Sequence, residues 1–144
     1  AVFLPIIASQ GGNAGMQTVT VIVRDMALGE LSPGDGRKAL FKELLLGLLI
    51  GTIIGLIVGV VGYLIAPEFG IPVDIGWILG LVVGTAMVLN LLAAALFGVL
   101  IPFALKFFRL DPALGSSILI TTVTDVAGFF FLLALAKWIL VSQA

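Results

Sequence analysis

The chain has 144 residues, 61% of them hydrophobic and 10% charged, with a mean hydropathy of +1.31 and a formal net charge of −1. A soluble domain carries about 25% charged residues, so this one belongs in lipid, and it has no basic face to neutralise a nucleic acid. Histidine and cysteine are both absent; this excludes disulfides, thiolate or imidazole metal sites, haem and iron–sulfur ligation and Ser-His-Asp catalysis, and leaves oxygen-loving cations such as Mg²⁺, Ca²⁺ or Mn²⁺ as the metals it can hold.

The composition predicts an all-α, polytopic membrane helical bundle, and four segments reach the ~20 residues a spanning helix needs. The first, Ala1 to Leu28, starts without a methionine or a basic leader, so no signal peptide is expected and the chain reads as a piece of something longer. It is predicted to break at Gly11-Gly12-Asn13-Ala14-Gly15-Met16-Gln17. A glycine-rich break at membrane depth exposes backbone groups that protein or a water-lined cavity must satisfy. Gly12, Asn13 and Gln17 are therefore candidates for lining a pore or forming a hinge, the plainer alternative being a break that only aids packing. Arg24-Asp25 reads as an ion pair at the interface.

A polar loop from Gly29 to Glu43 follows, holding Pro33, Gly34, Asp35 and Gly36 and then Arg37, Lys38 and Lys42. The second span, Leu44 to Ala66, places Gly47, Gly51, Gly55 and Gly59 on one helix face, a ridge that lets another backbone approach closely. Pro67 to Asp74 is a short acidic connection; Glu68 and Asp74 are a solvated loop or a cation-attracting outer entrance. The third span, Ile75 to Phe108, repeats the glycine spacing at Gly76, Gly80 and Gly84, carries Asn90 in mid-span for an inter-helix hydrogen bond, and is expected to bend at Pro102. Phe107 to Pro112 is a tight turn. Asp111 suits an N-cap for the last helix, with Pro112 in its first turn; alternatively it is an acid at the inner mouth.

The fourth span, Ala113 to Val141, contains Asp125, the one ionisable residue between Asp111 and Lys137. A carboxylate at membrane depth costs at least a few kcal/mol, and such a residue normally faces an ion path, a partner or a water-filled cavity. At 1.5 Å per residue Asp125 lies about 18 Å from Ala113, near the bilayer centre, and Asn13 reaches the same plane on the first span. Thr121, Thr122 and Thr124 add oxygens around it. The alternative is a hydrogen-bonded carboxyl that ties helices together. Lys and Arg mark the cytoplasmic side, which puts the 29–43 and 107–112 loops inside and both chain ends outside, with Lys137 reaching the outer interface. No glycine-rich loop continues into Lys-Ser/Thr, so no ATP site is visible, and without histidine or a nucleophile–base pair the chain is not expected to be an enzyme.

Pro5 followed by Gly12-Asn13-Ala14-Gly15-Met16-Gln17, then Arg24 and Leu28, resembles the signature of the MgtE magnesium channels. Gly98 to Pro102, Leu110-Asp111-Pro112-Ala113 and Ile120-Thr121-Thr122-Val123-Thr124-Asp125-Val126 agree with it, in the same order over nearly the whole chain. The resemblance implies a five-helix membrane domain in a prokaryotic plasma membrane, working as a homodimer among lipid with a Mg²⁺ path between subunits. It implies that Asp125 holds hydrated Mg²⁺, that Asn13 lines the pore, and that Thr121 and Ser117 line the path, Ser117 standing where some relatives have asparagine; Gly12, Gln17 and Thr124 are expected to line the path beside them. The family's first helix and its cytoplasmic Mg²⁺-sensing part have no counterpart in residues 1–144. The expected function is a Mg²⁺-selective channel or facilitative transporter moving hydrated divalent cations inward. An H⁺- or Na⁺-coupled transporter, or a helix-packing subunit without transport, are the alternatives.

Overall fold

A computed structural model describes residues 2–31 and 34–142; Pro33 and the two chain ends lie outside the described residues. It contains four long helices: α1 (Phe3–Ala27), α2 (Gly36–Ile65), α3 (Val73–Phe107) and α4 (Pro112–Ser142), with a 3₁₀ turn (Ala66–Phe69) after α2. The chain is an all-α membrane bundle. Among the described residues three stretches are long and apolar enough to cross a membrane: Gly36–Phe69, Ile75–Phe107 and Pro112–Ile139. Four were expected. α1 is long enough, but Ser9, Gln10, Asn13, Gln17, Thr18 and Thr20 interrupt its apolar run.

The expected break in α1 does not occur. The helix is continuous through Gly11, Gly12 and Gly15, with Pro5 in its first turn, where a backbone N–H has no intrahelical partner to lose. These glycines are contact points. A Cβ on Gly11 would overlap the Asn90 amide of α3, and one on Gly15 would meet Ile120 Cγ1 of α4 at 2.5 Å. Close packing thus replaces the helix propensity that each glycine lacks, about 1 kcal/mol against alanine. The polar loop is also shorter than expected: the chain is helical again from Gly36, so Arg37, Lys38, Lys42 and Glu43 occupy the first two turns of α2.

α3 is the central helix. Its apolar residues point all round, and Val83, Ala86, Met87, Leu91 and Val99 are buried among the other three helices, as expected for a helix hydrophobic on every face. Pro102 lies buried inside it, and the helix runs on to Phe107. α2 packs antiparallel to α3 along the glycine ridge: Gly51, Gly55, Gly59 and Gly62 are its buried residues, and Gly55 and Gly59 face the Gly84 and Gly80 carbonyls. Ile54, Val58 and Ile65 are half-buried against the core, while others, such as Leu56, Ile57 and Leu64, are exposed, which in lipid carries no penalty. α1 runs parallel to α3, with Gly11 beside Asn90, Gly15 beside Ala94 and Thr18 beside Gly98. α4 is antiparallel to α1, and Gly128, Thr124 and Ile120 meet Ile7, Gly12 and Gly15.

α1 and α3 end in the same motif. Gly29 (φ 73°) follows α1, and Glu30 N–H donates to the Asp25 carbonyl; Arg109 (φ 60°) follows α3, and Leu110 N–H donates to the Leu105 carbonyl. These are Schellman caps with a left-handed residue just past the helix. At the start of α4 the Asp111 carboxylate accepts the Ala113 N–H at 2.9 Å, the expected N-cap, with Pro112 opening the helix.

Candidate functional site

On α4, Ser117, Thr121 and Asp125 are spaced by four and share one face. On α1, Asn13 and Gln17 share a face that extends through Ser9, Thr20 and Arg24, and all five are exposed. α3 packs against both helices from one side, reaching α1 at Gly11, Gly15 and Thr18 and α4 at Ile120 and Gly128. Asn13 and Thr20 lie about half a helical turn from that α1 row, while on α4 Asp125 lies about 140° round the helix from Ile120 and about 60° from Gly128, roughly a quarter turn off the buried line. The two polar rows therefore flank one seam on the side away from α3, with Thr121 at its edge: a Cβ on Gly12 would sit 3.9 Å from Thr121 Cγ2.

Asp125 is exposed on this face, and among the described residues it takes part in no hydrogen bond or ion pair. Lys137 is about 18 Å further along α4. Thr121 Oγ1 donates back to the Ser117 and Ile118 carbonyls, at 3.0 and 3.1 Å, and so keeps its lone pairs turned outward. Among the described residues no three acidic side chains come together. One copy thus offers a cation a single carboxylate flanked by hydroxyl and amide oxygens, too few to replace the six ligands of bare Mg²⁺.

Other expected site residues lie elsewhere. Gly12 and Thr124 are buried in the seam behind the polar face, where Thr124 Oγ1 donates to the Ile120 carbonyl at 2.9 Å. Their role there is close packing of α1 on α4, because a side chain four residues on from Ile120 points into the bundle. Asp111 caps α4 about 21 Å from Asp125. Arg24 and Asp25 pair with each other within α1 at 2.9 Å. Glu68 is exposed, and the Asp74 side chain lies outside the described residues.

A large cavity lies away from the polar face. It is a groove of about 590 Å³ over the α2–α3 glycine seam, lined by Gly55, Tyr63, Trp77 and Gly80 among others, and its almost wholly carbon surface offers an ion nothing. A smaller cavity of about 200 Å³ between α1 and α2 is lined by Gln17, Thr18 and Glu43.

The family model for MgtE, described as a divalent cation transporter, matches residues 4–135. The chain belongs to the MgtE family. It is 36% identical to a Magnesium transporter MgtE of Thermus thermophilus over 140 residues, covering 97% of this chain and 29% of that protein. Magnesium transporters MgtE of Enterococcus faecalis and Bacillus subtilis are 33% and 28% identical, covering 88% and 94% of this chain and 26% and 28% of their own lengths. The chain spans less than a third of the curated relatives it matches.

In this MgtE-family chain, sequence reasoning missed one polar contact. The sequence places Glu43 at the end of the polar loop, yet its carboxylate accepts a hydrogen bond from Thr18 Oγ1 at 3.0 Å and links α2 to α1. Its position directly after Lys42 gives no signal; only the early start of α2 brings it to α1. Asn90 makes the inter-helix hydrogen bond expected of it, donating from Nδ2 to the Ile7 carbonyl at 2.8 Å.

Proposed function

We propose that the chain is part of a pathway for hydrated divalent cations, Mg²⁺ foremost, formed where the polar faces of α1 and α4 from two copies meet. The observation that carries this reading is the exposed, unpaired Asp125 on an apolar span, in register with Thr121 and Ser117 and beside the Asn13 row of α1. Facing lipid, that carboxylate would be costly; facing its symmetric copy across water, it is an ion site. α1 then crosses the membrane as a fourth span, because its polar stripe faces the path and not the acyl chains. The relatives named as magnesium transporters support the choice of cargo.

Mg²⁺ sheds water reluctantly and demands close octahedral geometry. Two Asp125 carboxylates match the charge of one divalent ion and grip its water shell through outer-sphere hydrogen bonds, while the width of the passage and the placement of hydroxyl and amide acceptors select the ion. A carboxylate about 5 Å from a divalent ion attracts it by about 1.7 kcal/mol even at the dielectric of bulk water, already more than tenfold in occupancy. The membrane potential drives the ion inward at about 2.3 kcal/mol per charge per 100 mV, so the path runs without ATP. The end of the bundle bearing Arg24, Arg37, Lys38, Lys42, Lys106 and Arg109 faces the cytoplasm, and the end bearing Tyr63, Trp77 and Trp138 faces outward.

Divalent flux into liposomes reconstituted with the protein tests this. Asp125→Asn removes the charge and keeps the shape, and flux should fall at least about tenfold. Unchanged flux removes Asp125 from the path. Flux driven by voltage alone, at symmetric pH and sodium, separates a channel from a coupled transporter.

A further inference from the structure

Asn90 is wedged between the two helices that carry the polar face. It is fully buried, and it donates across the bundle from Nδ2 to the Ile7 carbonyl of α1 at 2.8 Å. Its Oδ1, also buried, has no hydrogen-bond partner among the described residues. Two glycines make room for it. A Cβ on Gly11 would overlap Nδ2, and one on Gly128 of α4 would stand 3.1 Å from it and 3.2 Å from Ile7 Cγ2. The amide thus touches the backbones of α1 and α4 at one level, and its thickness limits how closely they approach.

A buried carbonyl oxygen left unpaired is destabilising, and an apolar side chain of the same shape would avoid that loss. What the amide supplies instead is a fixed position, since its one hydrogen bond is directional and its two glycine walls leave it nowhere to move. Asn13 follows Gly11 by two residues, and Asp125 precedes Gly128 by three, on rigid helices. Any change in the wedge therefore shifts the two polar rows relative to each other.

We propose that Asn90 is a positioning residue: by setting the α1–α4 separation behind the polar face it sets the width of the cation path, and so its preference among divalent ions of different size. This rests on the reading that the polar face is the path. Selection of a hydrated ion by acceptor placement depends on separation more than on the chemistry of any one group.

The test compares Mg²⁺ with Ca²⁺ flux through the reconstituted protein in two variants that change the wedge in opposite senses. Asn90→Ala thins it and lets the helices close. Gly128→Ala leaves the amide in place and adds a methyl against it, forcing the helices apart. The Mg²⁺-to-Ca²⁺ flux ratio should move in opposite directions in the two variants, each by on the order of tenfold. A ratio that stays at the wild-type value in both folded variants, or moves the same way in both, overturns the proposal, because loss of stability alone scales both ions equally. Asp125→Asn, measured beside them, keeps the two readings apart. If it conducts like wild type, the path itself is misplaced; if it loses flux while the wedge variants keep their ratio, only the role of Asn90 fails.

Discussion

Gly11 shows how opposing local and tertiary terms resolve at a single residue. Replacing it with alanine gains about 1 kcal/mol of helix propensity. The new carbon would overlap Asn90 Nδ2, and the amide cannot retreat, because Gly128 closes the other side of its slot. Overpacking a tight interior costs about 1–3 kcal/mol, and displacing the hydrogen bond to Ile7 adds roughly 1 kcal/mol. Gly11→Ala should therefore destabilise the protein, by about 1–3 kcal/mol, as a lowered thermal midpoint in detergent. Gly115 offers the contrasting case: its added carbon meets nothing nearer than Leu105 Cδ1 at 3.5 Å, so Gly115→Ala should be neutral or stabilising by up to about 1 kcal/mol. Equal effects at the two positions would contradict the packing account of the α1 glycines. The Arg24–Asp25 pair is a lesser matter. The Arg24 side chain is 65% exposed, so Asp25→Asn should leave stability nearly unchanged.

At the level of helices, the α2–α3 contact is made by glycine backbones, and this fixes how it can fail. A Cβ on Gly80 would stand 2.5 Å from the Gly59 carbonyl oxygen, a backbone atom that can yield only if the whole helix moves. Gly80→Ala should pry α2 away from α3, and proteolysis of the 29–35 connection in detergent should speed up as α2 loosens. The ends of helices make a second test. α1 is followed by Gly29 and α3 by Arg109, both left-handed. For a non-glycine residue that conformation costs about 1–2 kcal/mol, while glycine brings back part of that as extra freedom in the unfolded chain. Arg109→Gly should raise the thermal midpoint modestly, by the equivalent of up to about 1 kcal/mol. A fall would mean that the Arg109 side chain contributes contacts of its own.

At the scale of the whole molecule, the polar face needs a cover. α2 covers α3 on one flank, and lipid suffices for the exposed apolar residues of α2, α3 and α4. Ser9, Asn13, Gln17, Ser117, Thr121 and Asp125 need water or a partner. A second copy related by a two-fold axis supplies the same residues in return, the isologous arrangement commonest among homo-oligomers. The chain has no cysteine, so a single introduced thiol reports on this directly. Thr121→Cys should give a disulfide-linked dimer under mild oxidation in membranes, and Leu56→Cys, on the exposed flank of α2, should not. Cross-linking at Leu56 alone would place the interface on the wrong face.

Much of this was legible in the chain itself. Apolar runs separated by charged turns dictate spanning helices, because lipid can satisfy no backbone polar group, and the four-residue glycine spacing dictates which face of α2 meets α3. A lone acid in such a run marks the point where an ion path is to be sought, and the Asp111 cap and the Asn90 hydrogen bond followed from residue type and position. What the sequence could not decide was whether Gly11, Gly12 and Gly15 break a helix or join it to its neighbours. Glycine permits both, and only the presence of Asn90, Thr124 and Ile120 against them selects the continuous helix. The same holds for Thr124 and Asp125. They are adjacent in the chain and similarly polar, yet one packs inside and the other faces out, because a helix turns by about 100° per residue and the tertiary contacts fix where that rotation begins.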